Sequence, residues 1–295
     1  MSGLGKGLAG ILGDALAYDR APEVSQLLRV SGVRRHPEMR RLVSELALGS
    51  MAEGFGAQSA VLVSRDGDGR LSSVAARLAP NWNLLDPVSF ETVGRLYQAL
   101  VEEPGPNTSG NSCRLSSEQF TLEGASILVC RSSSGSVVTA TAIVRREAFS
   151  DNEEATIGRI VRSVAIALRG ETDARLLQRL TVELATPLVS SQDDQSVAHV
   201  TLTHDGSSPV REGLAEDPDP VSAVAIAAAR ACSDSLAVTF VGQIRFQDGP
   251  SAHVVTVVVL RDRNGPLFGL SITDPTSQTG PAEAVLNAAG VTGSL

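Results

Sequence analysis

The chain has 295 residues, enough for two domains of ordinary size, and 42% of them are apolar, enough to fill real cores. Its formal charge of −8 is uneven: residues 1–180 hold 20 basic and 20 acidic side chains, whereas residues 181–295 hold 5 and 13. An acidic second half repels a phosphate backbone and so argues against nucleic acid, while three cysteines, odd in number and widely separated, form neither a disulfide framework nor a metal cluster.

Residues 1–21 read as an N-terminal extension, and a first module spans residues 22–170. A helix is predicted over 37–53, with Pro37 in its first turn and Met39, Leu42, Val43, Leu46, Ala47 and Met51 as its buried stripe. Strands at 59–64 and 71–79 follow, joined by the Asp-Gly-Asp-Gly turn at 66–69. Asp86 and Pro87 open a helix carrying Phe90, Val93, Leu96, Tyr97 and Leu100 on one side. Residues 104–111 read as a polar loop, and strands at 126–131 and 137–144 surround a serine- and glycine-rich turn. An antiparallel sheet with helices on one face accommodates this order.

The segment 150–168 carries the clearest signal. Ser150 and Glu153 have capping-box spacing, and Ile157, Ile160, Val161, Val164 and Leu168 recur at helical intervals. The pattern resumes at Leu177, Leu180 and Leu184. A helix continuous from 153 to 184 would leave these eight side chains as surplus apolar surface, and pairing with a second copy would bury them. Residues 171–195 are therefore read as a connecting helix and linker, and homodimerisation is expected there.

The second module, residues 196–295, opens with a strand at 197–203 and a polar linker over 204–218. A helix follows over 219–232, capped by Asp217 or Asp219 with Pro220 at its first position and rich in alanines small enough for close approach to a sheet. Strands at 236–246, 252–261 and 267–273 are separated by Asp-Gly and Asn-Gly turns. The middle strand is nearly all valine, apolar on both faces, so one face meets helices and the other a second sheet or subunit. A last helix spans 280–289, with Pro281 at its start and Gly290 past its end. The fold class is α+β: two modules, each an antiparallel sheet packed against helices, joined by a long helix.

Two resemblances accompany these patterns. The run from Ala125 to Leu168, through Phe149, Ser150, Asp151, Glu153, Ala165 and Ala167, resembles the closing half of a GAF domain, and residues 60–65 fit its opening half. The resemblance implies either a small-molecule pocket between the sheet and the middle helices or a pocketless dimerisation module. Neither a bilin-linking Cys-His pair nor the family's cyclic-nucleotide signature is present, and no histidine lies between His36 and His199 to hold haem. More distantly, residues 200–202, Asp205, Gly206 and 216–223 resemble the regulatory and dimerisation domain of 2-isopropylmalate synthase, with Pro220 and Ala223 matching directly. Asp217 and Asp219 stand where that family has glycines, which disfavours a carboxylate ligand.

The candidate ligand site is an apolar pocket lined by Trp82, Phe90, Tyr97 and Phe120 with Cys113 or Cys130 nearby; the alternative is that all are core. No activated nucleophile, positioned acid pair, phosphate loop, metal site or cofactor motif is evident. With no secretory signal and no long apolar run, the chain is expected to be cytoplasmic, without a membrane span. The expectation is a non-enzymatic, homo-oligomeric regulatory protein that senses a small metabolite or a protein partner. A static scaffold and an enzyme of unrecognised class are the alternatives.

Overall fold

The computed structural model describes residues 37–66, 71–80, 82–101, 114–135, 137–168, 182–184, 187–192, 195–204, 208–248, 251–263 and 265–289. The protein is α+β and divides into two compact units at Thr172/Asp173, each a set of sheets packed against helices.

The first unit runs α1 (Pro37–Gly54), β1 (Ser59–Arg65), β2 (Leu71–Arg77), α2 (Pro87–Val101), β3 (Arg114–Leu122), β4 (Ala125–Ser134), β5 (Val137–Arg145) and α3 (Asp151–Leu168). Its five strands form one antiparallel sheet in the order β2-β1-β5-β4-β3. Helices cover both faces of this sheet, where the sequence pattern implies one. On one side, Ala60, Leu62, Ile143, Leu128 and Cys130 meet Ala47, Leu48 and Met51 of α1 and Ile157, Ile160, Val161 and Val164 of α3. α2 lies on the other side, against β4 and β5. A sheet covered twice explains why β5 is buried at every position and β4 at nearly every one. Among the described side chains of α1 the stripe is Val43, Ala47, Leu48 and Met51, with Leu46 only half-buried; the Met39 and Leu42 side chains lie outside those described.

Sequence reading also missed β3. Its hairpin to β4 turns through Glu123 and Gly124, both with positive φ (49° and 76°), and Leu122 pairs directly with Ala125. This is the two-residue turn that matches strand twist, made here with glutamate where Asn or Asp is the usual signal.

The join between β5 and α3 is held by one side chain. Arg145, buried in the sheet, donates to the carbonyls of Glu147, Ala148 and Phe55 and to both carboxylate oxygens of Glu153, with its guanidinium 4.0 Å from the centre of the Phe149 ring. Glu153 also accepts from the Ser150 amide and hydroxyl, which completes the expected capping box. The arginine bond, then the serine bonds, hold the Glu153 carboxyl down at about 2.

The expected interface helix is corrected on two counts. Ile157, Ile160, Val161, Val164 and Leu168 are all buried in the first unit's own core, so α3 has no apolar surplus for a second copy. The element does not run to residue 184 as helix: Val182–Leu184 is a strand paired with Leu202–His204, so Leu184 belongs to a sheet. Leu177 and Leu180 lie outside the described residues.

The second unit continues with β6 (Val182–Leu184), β7 (Leu188–Gln192), β8 (Gln195–His204), β9 (Ser208–Asp217), α4 (Pro220–Cys232), β10 (Ala237–Asp248), β11 (Ser251–Asp262), β12 (Gly265–Thr273) and α5 (Gly280–Ala289). The expected linker over 204–218 is mostly strand: β9 pairs with β8 along nearly its whole length, while β6 and β7 share the other edge of β8. β10, β11 and β12 make a second antiparallel sheet in that order. β8 and β9 pack on α4, β11 and β12 on α5, and the helices on each other, in one core. α4 is buried on nearly all sides, which its alanines permit.

The unit repeats a block of three antiparallel strands and a helix: β7–β9 with α4, then β10–β12 with α5. In each block the third strand carries a glycine against helix backbone. A Cβ at Gly213 would overlap the Ala227 carbonyl, and one at Gly269 the Ala284 carbonyl.

Candidate functional site

The aromatic residues singled out by sequence gather around α2. Before it, Trp82 donates its amide to the Ala79 carbonyl, and Asn83 Oδ1 accepts the amides of Leu85 and Asp86 at 2.9 and 3.1 Å. Asp86 then caps the helix, with Oδ2 accepting from the Ser89 amide at 2.8 Å and the Ser89 hydroxyl at 2.7 Å. These bonds form an Asx turn running straight into an N-cap. It fixes the backbone of Leu85 while leaving that side chain 93% exposed. One turn later Phe90 is 45% exposed. Two large apolar side chains therefore project from a rigid helix start.

Further along α2 the side chains turn inward. Val93, Leu96, Tyr97 and Leu100 are buried, Tyr97 to 2% exposure. On the flank, Arg95 stacks 5.0 Å from the Phe120 ring centre while bonding Glu91 at 2.8 Å and Glu118 at 3.2 Å. The C-terminal carbonyls of α2 are taken up by two arginines from the sheet. Arg131 Nε donates to Ala99 at 2.6 Å, and Arg65 donates to Leu100 at 3.1 Å. Cations at a helix C-terminus complement its dipole, so α2 is pinned at both ends.

The six predicted pocket residues do not converge. Phe120 pairs in register with Ile127, on the α2 side of the sheet, whereas Cys130 points the other way into the α1–α3 core. Burial, then the charge of Glu154, pushes the Cys130 thiol up to about 12, so it is an inert core thiol. Tyr97 is core, Phe90 is surface, Trp82 is half-buried, and Cys113 lies outside the described residues. Leu85, Arg65 and Arg131 were not anticipated. The Asn83–Asp86–Pro87 spacing is a visible turn-and-cap signal for the first, and an arginine inside an apolar strand is the signal for Arg131.

The acidic residues ahead of α4 are caps. Asp219 accepts from the amides of Val221 and Ser222 and from the Ser222 hydroxyl, and Asp217 accepts from the Asp219 amide. His199 meets Glu212 at 3.3 Å on an exposed sheet face. Cys232 packs half-buried against the second unit's core, its backbone carbonyl accepts from Arg211, and burial pushes its thiol up to about 11. Among the described residues no group of three or more His, Cys, Asp or Glu is placed to hold a metal, and no helix is long and apolar enough to cross a membrane.

No protein-family model matches the chain, and no curated protein matches it at significant similarity.

Proposed function

We propose that the chain is a non-enzymatic regulatory protein that self-associates, and that its GAF-like first unit engages a protein partner through the start of α2. The observation that carries this reading is the pair Leu85 and Phe90, apolar and exposed on a hydrogen-bonded turn. Exposed leucine held on rigid backbone loses little conformational freedom on docking, which favours a protein contact. A small metabolite is the weaker occupant, because Tyr97 and Cys130 are sequestered in cores on opposite faces of the sheet. The self-association does not run through α3, since that helix is covered by its own unit.

Native mass spectrometry of the full chain, under gentle and then denaturing conditions, tests both parts. Oligomers carrying no retained small molecule are expected. A particle that stays monomeric at high micromolar concentration overturns self-association, and a retained small molecule overturns the preference for a protein partner. Leu85→Asp is expected to leave the unfolding midpoint unchanged, because an exposed side chain contributes within about 0.5 kcal/mol.

A further inference from the structure

We propose that two copies of this chain join edge to edge through β10, in antiparallel pairing about Ile244, to make one six-stranded sheet. This rests on the self-association proposed above and gives it a surface. Among the described residues no strand pairs with the outer edge of β10. The strand is 12 residues long and contains neither proline nor lysine. The unit's other edges are blunted: β9 carries Pro209, β12 carries Pro266, and β6 and β7 are only three and five residues long. Long edges without such devices pair with other strands, and the one bulge of β10 lies at its start, outside the run from Phe240 to Asp248.

The strand is also complementary to itself. A bulge at Thr239 ends the irregular part, and from Phe240 to Asp248 the register with β11 is unbroken, a run centred on Ile244. On the face towards α5, Gln243 donates to the Thr256 hydroxyl, and Gln243, Arg245 and Gln247 are exposed. The opposite face carries Phe240, Ile244 and Phe246. A twofold axis at Ile244 keeps these faces together. Gln243 then meets the second copy's Arg245, amide against guanidinium, and Gly242 meets the second copy's Phe246, leaving the ring room over a residue without a side chain. Ile244 meets its own counterpart, and no two like charges stand directly opposite, the two Arg245 side chains being diagonal neighbours.

The test is the full-length double variant Q243C/R245C with each single variant as control, oxidised and run on a non-reducing denaturing gel beside native mass spectrometry. Residues directly opposite in an antiparallel pair have Cα atoms roughly 4.5–5.5 Å apart, within disulfide reach. Most of the double variant is expected to run as a dimer that reductant dissolves, while each single variant runs as a monomer. Both sites are exposed, and the native cysteines are common to all three variants. Dimers in the native spectrum without this crosslink overturn the β10 assignment but leave self-association standing. Monomers in the native spectrum overturn both, and equal crosslinking by a single variant overturns the axis at Ile244.

Discussion

Three glycines separate close approach from incidental contact. At Gly213 and Gly269 an added methyl would run into the carbonyl oxygens of Ala227 and Ala284, which are backbone atoms of packed helices and cannot rotate away. Gly213→Ala and Gly269→Ala should each destabilise the second unit by about 3 kcal/mol or more, seen as a lower urea midpoint. At Gly158, within α3, the obstacle is the Leu115 side chain, whose Cδ2 would lie 2.7 Å from a new Cβ. Leu115 is 44% exposed and its methyls can swing aside. Gly158→Ala, gaining about 1 kcal/mol of helix propensity, should be near neutral. Glu153 makes a pH-dependent contribution of definite sign. Its folded pKa of about 2 lies below the ordinary 4.5, so its stabilisation is complete above about pH 4.5 and is lost as pH falls towards 2. Urea midpoints should place Glu153→Gln below the parent at pH 6 and converge with it near pH 2. A constant gap across that range would mean that packing, rather than the ionised carboxylate, is responsible.

Among the elements, those with capping chemistry at their first turn were legible in the sequence. α3 has its Ser150–Glu153 box, α4 its Asp219–Pro220 start, and α5 its Pro281. The missed strands have a common physical cause. β9 reads as linker because Glu212, Glu216 and exposed Leu214 occupy its outer face, while the buried residues described on the face towards α4 are the small Gly213 and Ala215. β3 is an edge strand with a mostly exposed polar sequence, and its register is set by a turn of unusual composition. That register decides the candidate site: it puts Phe120 beside α2 and leaves Cys130 on the far face. A list of aromatic and thiol residues without it cannot say which of them share a pocket. The glutamate in that turn also leaves room for improvement. Asn tolerates positive φ better, so Glu123→Asn should raise stability by about 0.5 kcal/mol. The expected sign is a higher urea midpoint with an unchanged slope.

At the scale of the whole molecule, the two units have separate cores: one built on Leu62, Leu128, Ile143 and Val161, the other on the alanines of α4 with Val258, Leu260 and Val285. Among the described residues none is shared between them. Cores of this kind lose their packing independently unless the contact between units is large and apolar. Calorimetry of the full chain should therefore resolve two transitions, and variants identify them. Gly269→Ala acts only on the second core, so it should lower one transition and leave the other in place. Glu153→Gln at pH 6 acts only on the junction of β5 and α3, so it should lower the transition that Gly269→Ala spares. The double variant should show both shifts at their single-variant sizes, because sites in separate cores without shared partners add. A single transition moved by either substitution would mean that the two cores unfold as one cooperative body, and the division at Thr172/Asp173 would then be one of geometry alone.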